Sequence, residues 1–160
     1  MSGERVDGGE SVTAEGLEAL RREIEELEGA GRRAMAERIK AARELGDLKE
    51  NAEYHIAKDD QAHLETKIKR LRQRLRNAVV VEVDAAEQSF GFGRTAEVVE
   101  ASSGEAKTWT LVGRAEADFA AGKLSIESPV GAALAGAAVG ETVSVETPRG
   151  TRSYRVQRLL

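Results

Sequence analysis

The chain has 160 residues, with 24 Lys or Arg against 28 Asp or Glu and a formal net charge of -4. That is room for one ordinary domain or two small ones, without the basic excess of a general duplex binder. There is no cysteine, which removes disulfides and thiolate metal sites and points to a reducing compartment, the cytoplasm. The opening MSGERVDGGES is unlike a signal peptide, and no apolar run approaches a membrane span.

Residues 1–12 read as a flexible tail. Thr13 is a candidate N-cap, although Gly16 stands where a capping box would place a glutamate. Leu17, Leu20, Ile24 and Leu27 then recur at helical spacing, the stripe of a helix packed on a partner. Gly29 and Gly31 interrupt the stripe, and each glycine costs about 1 kcal/mol in a helix interior, so a distortion is predicted there. The stripe resumes at Met35, Ile39, Ala42 and Leu45, and Gly46 closes it. A second helix is predicted from Asp47 or Leu48 to Asn77, with Ala52, Ile56, Leu64, Ile68, Leu71 and Leu75 on its inner face. Residues 13–78 therefore form an antiparallel coiled-coil hairpin, a stalk on the order of 45 Å long at 1.5 Å per residue. Its acidic tip lies at residues 46–53.

Beyond Asn77 the period changes to two. Residues 79–83, 95–99 and 107–112 read as strands, as do the alternating segments around Leu124, around Val143 and Val145, and around Tyr154 and Val156. Pro148-Arg149-Gly150 is a turn, and Ser128-Pro129 opens a short helix. Residues 79–160 make a small α+β domain. Charge follows the same division: residues 1–78 hold 16 Lys or Arg and 17 Asp or Glu, and residues 79–160 hold 8 and 11.

The tip sequence GDLKENAEYH carries the chemistry. Asp47-x-x-Glu50 fits an N-cap followed by its N3 glutamate, and spacing alone favours that reading. The same two carboxylates are also oxygen ligands for a divalent cation. Two are too few for Mg²⁺ unaided, so another molecule would have to complete the shell. Arg38, Lys40, Arg43, Lys49 and Lys58 lie nearer the tip, placed to meet a phosphate backbone. Six cations within residues 67–76 (KIKRLRQRLR) are either a solvated flank or a surface for nucleic acid or acidic protein. His55 and His63 are too far apart to share a metal in the i, i+4 manner.

GDLKENAEYH also carries a resemblance. So do VTAEGLEALRREIEEL from Val12, FGRTAEVV from Phe92, GRAEADFAAGKLSIESPVGAALAG from Gly113 and the C-terminal VETPRGTRSYRVQRL. Over nearly everything after the tail the chain resembles the bacterial Gre transcript cleavage factors, the GreA/GreB family, and GreA more than GreB. The resemblance implies a coiled coil that enters the secondary channel of RNA polymerase, followed by an FKBP-like domain that grips the channel rim. It implies that Asp47 and Glu50 act in trans at the polymerase active centre and share a weakly bound Mg²⁺ with it. The polymerase then cleaves its own backtracked transcript and regains an aligned 3′ end. By the same resemblance Tyr54 contacts the RNA or positions the tip, and Asp118, Phe119, Ser128 and Pro129 bind polymerase.

On this reading the protein is a monomeric accessory factor, not an enzyme by itself. Its partners are RNA polymerase and the nascent RNA 3′ end. The alternative is a Gre-like regulator that occupies the channel without promoting cleavage; the presence of both tip acids favours the active form. A prolyl isomerase, suggested by the FKBP-like half, is set aside because the chain has only three Phe, two Tyr and one Trp. Of these, Tyr54 and Phe90 are expected outside the C-terminal strands and helix.

Overall fold

A computed structural model describes residues 9–46 and 51–160. The chain divides into two compact units, a hairpin unit containing Leu17–Ala78 and a C-terminal unit made of Gly9–Gly16 and Val79–Leu160. No helix among the described residues is long and apolar enough to cross a membrane.

In the hairpin unit, α1 (Ala14–Glu26) passes through a π-helical turn at Leu27–Gly31 into α2 (Arg32–Arg43), and α3 (Ala52–Asn77) packs back against α2. Thr13 caps α1 as expected, its Oγ1 accepting from the Gly16 N–H at 3.0 Å. The distortion predicted at Gly29 and Gly31 is the π turn. At 3.6 residues per turn, Ile39 would sit about 100° round the helix from Leu20. The extra residue taken up by the wider turn returns it to that face. Leu20, Ile24 and Leu71 form the buried seam at one end, with Leu27 and Leu75 against them. Ile39, Ala42, Ala57 and Ile68 are buried farther along.

Arg32 holds Glu65 through two bonds of 2.9 and 3.0 Å, Arg38 holds Asp60 at 2.7 Å, Lys67 lies 3.4 Å from Glu23, and Arg72 pairs with Glu28. The hydrogen bond from Arg72 holds the Glu28 carboxyl below its usual range, and that from Arg32 does the same for Glu65.

Three expectations need correction in this unit. The second helix starts at Ala52, not at Asp47 or Leu48, because Asn51 is its N-cap. The inner face near the tip runs through Ala57, while Ala52 is exposed and Ile56 is 53% exposed. Leu45 lies past the end of α2 and is 68% exposed, so it does not extend the seam.

The C-terminal unit is built on a five-stranded sheet of order β6-β5-β4-β9-β8. Its strands are β4 (Thr95–Glu100), β5 (Ala106–Val112), β6 (Lys123–Ser125), β8 (Thr142–Thr147) and β9 (Gly150–Leu159). All neighbours are antiparallel except β5 and β6. Strand alternation puts Ala96, Val98, Trp109, Leu111, Tyr154 and Val156 into one core with Leu134 of α4 (Pro129–Leu134). Close approach at α4 is possible because residue 131 is glycine: a Cβ there would fall on the Ser125 carbonyl oxygen. Pro148 and Arg149 turn β8 into β9, with Gly150 at φ +113°.

Two short strand pairs accompany the sheet, and three of their four strands, all but β2, have no alternation long enough to read from sequence. β1 (Glu10–Val12) pairs with β2 (Ala78–Val80), and β3 (Ser89–Phe90) pairs with β7 (Ala137–Ala138). The tail expected to reach residue 12 is thus a strand from Glu10 onward, and Val12 is 3% exposed. β2 stops at Val80 instead of residue 83, where Val83 is already exposed. Phe90, expected outside the strands, lies in β3 and is fully buried.

Candidate functional site

Two groups of expected site residues lie in different units. At the end of the hairpin unit, α2 closes at Arg43, and Gly46, at φ +127°, leads into the connection to Asn51. Asp47, Lys49 and Glu50 belong to that connection and lie outside the described residues. Asn51 joins the two helices. Its Oδ1 accepts from the Tyr54 N–H at 3.1 Å to cap α3, and its Nδ2 donates to the Ala42 carbonyl of α2.

One turn into α3 the Tyr54 ring lies beneath the Arg43 guanidinium, 5.7 Å from its centroid, within range of a cation–π contact. The structure therefore brings Arg43 and Tyr54 together across the two helix ends. Lys58 stands apart from them, exposed, its Nζ donating to Gln61 Oε1 at 3.0 Å. Among the described residues no group of three or more His, Asp and Glu could hold a metal ion.

In the C-terminal unit the four expected contact residues divide into supports and display. Asp118 caps the single 3₁₀ turn Phe119–Ala121, its Oδ1 accepting from the Ala121 N–H at 3.3 Å. It also exchanges backbone bonds of 2.9 Å with Lys123. Ser128 caps α4, accepting from the Gly131 N–H at 3.1 Å and donating to the Ser125 carbonyl at 2.6 Å. Pro129 occupies the first turn, where its missing N–H costs nothing. Phe119 is what the turn displays, 69% exposed.

Phe119 stands on the rim of a groove of about 320 Å³. Trp109 and Tyr154 line it with rings 5.5 Å apart, and the Phe119 ring lies 6.3 Å from Trp109. Val130, the residue after Pro129, also lines it, so the two expected segments meet at one groove. Lys107, Arg149 and Arg152 add three cations, and Lys107 Nζ sits 5.9 Å over the Trp109 ring.

The groove itself escaped the sequence reading. Its available signal was the alternation Lys107-x-Trp109 on β5 and Arg152-x-Tyr154 on β9, a cation and an aromatic two residues apart on each strand.

Comparison with known proteins covers both regions of the chain. Residues 10–80 match the family model described as transcription elongation factor, N-terminal. Residues 85–159 match the model of transcription elongation factor, GreA/GreB, C-term. The transcription elongation factor GreA of Geobacillus kaustophilus is 44% identical over 146 residues, covering 91% of this chain and 92% of that protein. GreA of Bacillus velezensis is 40% identical over 148 residues, covering 92% and 94%. Among solved structures, GreA factor homolog 1 (Gfh1) of Thermus thermophilus is 30% identical and covers 95% of this chain and 99% of that one. Its TM-score of 0.41 adds nothing to the fold described above.

Proposed function

The chain belongs to the GreA/GreB family of transcription elongation factors, and from that premise we propose that it stimulates transcript cleavage by a backtracked RNA polymerase. The hairpin enters the polymerase secondary channel and carries Asp47 and Glu50 to the active centre. The C-terminal unit docks at the channel rim through Phe119 and the groove beside it. Hydrolysis remains the polymerase's own reaction, and this chain supplies carboxylates.

One observation carries the assignment of the tip acids. Asp47 and Glu50 have the spacing of an N-cap and its N3 partner, and that role would account for them fully. The N-cap of α3 is Asn51, with its own side chain on the Tyr54 N–H. The N-cap position of α3 is therefore filled by Asn51, which removes the capping explanation for Asp47 and Glu50.

Two carboxylates are hard oxygen donors suited to Mg²⁺, which takes one or two from a protein and fills its shell from phosphates and water. With the remaining ligands from polymerase and RNA, Asp47 and Glu50 would hold a second ion of a two-metal phosphoryl site, which would supply charge stabilisation to the attacking or leaving oxygen. The chain's own part is to present negative charge at the end of a stiff hairpin. Arg43 and Tyr54, joined across the helix ends, offer a cation and an aromatic face to the displaced RNA, and Lys58 adds a further cation.

The test is the variant Asp47→Asn/Glu50→Gln in a defined backtracked complex. Both changes remove charge and leave the Asn51 cap untouched, so melting should not move. Cleavage stimulation should fall by about 100-fold or more, roughly 2.7 kcal/mol at the transition state, and recover in part at raised Mg²⁺. Stimulation equal to that of the unaltered protein would overturn the assignment.

A further inference from the structure

Thr13 opens α1, and the position where a capping box places its acid is Gly16. The acid arrives from a residue 103 positions away. Glu116 Oε1 accepts from the Thr13 N–H at 2.8 Å, and Glu116 Oε2 accepts from the Thr13 hydroxyl at 2.6 Å. Thr13 Oγ1 meanwhile accepts from the Gly16 N–H at 3.0 Å. Both bonds of a capping box are thus made, with the acid supplied from outside the helix.

Glycine at 16 is the counterpart of that arrangement. A Cβ there would fall on the Glu116 carboxyl, whose three atoms are its nearest neighbours. A local acid at 16 and the remote acid at 116 exclude each other. Because the bonds end on a carboxylate, they are stronger than neutral ones.

The loop that carries Glu116 runs directly into the turn at Phe119. The Glu116 N–H donates to the Gly113 carbonyl at 3.0 Å, and two residues on Asp118 caps the turn that displays Phe119. Gly113 lies close enough to β1 that an added Cβ would come within 2.9 Å of the Ser11 carbonyl. Residues Gly9–Gly16 belong to the C-terminal unit, and α1 continues from there into the hairpin unit.

We infer that Glu116 is a positioning residue for transcript cleavage, making the first turn of α1 depend on the loop that carries Asp118 and Phe119. The inference rests on the proposed role in cleavage. An ordinary capping box would start the helix equally well but leave it independent of that loop. Moving the acid to position 116 ties the first turn of α1 by hydrogen bonds to the loop that leads into the docking segment.

Three variants of the full-length protein test this: Glu116→Ala, Glu116→Gln and the double variant Gly16→Glu/Glu116→Ala. The double variant restores a local capping box in the space the remote carboxylate vacates. Each is assayed for melting, for polymerase affinity by competition and for cleavage rate in a backtracked complex at saturating factor. Since a misplacement of about 1 Å can cost about 100-fold, E116A is expected to lower the saturating rate by about 10- to 100-fold with little change in affinity. E116Q, which keeps an acceptor for the Thr13 N–H, should retain most of the rate. The double variant should recover melting without recovering cleavage.

Recovery of cleavage together with melting would reduce Glu116 to a helix cap and overturn the inference. So would a loss of affinity at an unchanged saturating rate, which would make it a docking residue. If the unaltered protein gives no stimulation, the functional reading falls and takes this inference with it. If it stimulates and E116A equals it, only the inference falls.

Discussion

Replacing Asn51 separates the architecture of the hairpin end from its chemistry. The side chain makes two bonds, accepting from the Tyr54 N–H to cap α3 and donating to the Ala42 carbonyl of α2. Truncating an N-cap Asn to Ala costs about 1 kcal/mol. A lost side-chain hydrogen bond to a partly buried carbonyl costs about 1 kcal/mol more. Asn51→Ala should therefore destabilise the hairpin by about 2 kcal/mol. Asn51→Asp keeps the capping acceptor and loses only the donor, so about half that cost is expected.

Two probes assign the effect to its unit. Far-ultraviolet circular dichroism in urea follows the helices, which lie mainly in the hairpin, and the single tryptophan, Trp109, reports on the C-terminal core. The dichroism midpoint should fall in the order unaltered, Asn51→Asp, Asn51→Ala, while the fluorescence midpoint stays in place. Asn51→Ala within about 0.5 kcal/mol of the unaltered protein, the range of an ordinary surface change, would refute the capping role. The tip-acid reading would then lose its main support.

Other expectations rest on the same geometry. Gly131→Ala drives a methyl group into the Ser125 carbonyl and should destabilise the C-terminal unit by about 1–3 kcal/mol, seen as a lower Trp109 fluorescence midpoint. Phe119→Ala removes an exposed ring, so stability should hold while polymerase affinity drops by at least about tenfold, or 1.4 kcal/mol, in competition binding. Glu28 and Glu65 titrate below the usual 4.5 in the folded hairpin because Arg72 and Arg32 bond to them. Their contribution is complete above that value and is lost as pH falls through the lowered ones. The dichroism midpoint should accordingly drop on acidification, and Glu28→Gln/Glu65→Gln should flatten that limb.

The parts of the fold legible in the sequence were those with a local physical cause. Helical spacing of Leu20, Ile24 and Leu27 marks the seam, alternation marks β4, β5, β8 and β9, and Thr13 and Ser128 mark two helix starts by their own hydroxyls. Gly29 and Gly31 announce a distorted turn. Strands of two or three residues carry no period, so β1, β3 and β7 are set by tertiary contacts such as the burial of Val12 and Phe90.

The start of α3 misleads for a different reason. Asp47-x-x-Glu50 is the better local capping signal, yet the cap is Asn51, whose amide can also donate to Ala42 across the hairpin. The bond between Thr13 and Glu116 spans 103 residues, and its only trace in the chain is a glycine where a glutamate would be ordinary. At the candidate site, the motif singled out Phe119, and the structure exposes its ring beside a groove. The groove beside it depends on the adjacency of β5, β4 and β9, which no single segment encodes.

The four ion pairs of the hairpin are exposed, and each adds little to stability. Their arrangement has a different effect, on which alignment of the two long helices is accepted during folding. If α3 slid by one turn in one direction, Arg32 would exchange Glu65 for Lys69, Arg38 would exchange Asp60 for Leu64 and Glu23 would exchange Lys67 for Leu71, and only Glu28 would keep a cation, Arg76. A slip of one turn the other way would set Arg32 against Gln61, Arg38 against Ile56, Glu28 against Ile68 and Glu23 against His63. Leucine and isoleucine stripes tolerate such slips, because one apolar side chain replaces another at similar cost. The charges do not, because a slip one way leaves a single pair and sets Arg32 against Lys69, and a slip the other way leaves none. Hairpins of the wrong alignment should reopen before they can consolidate.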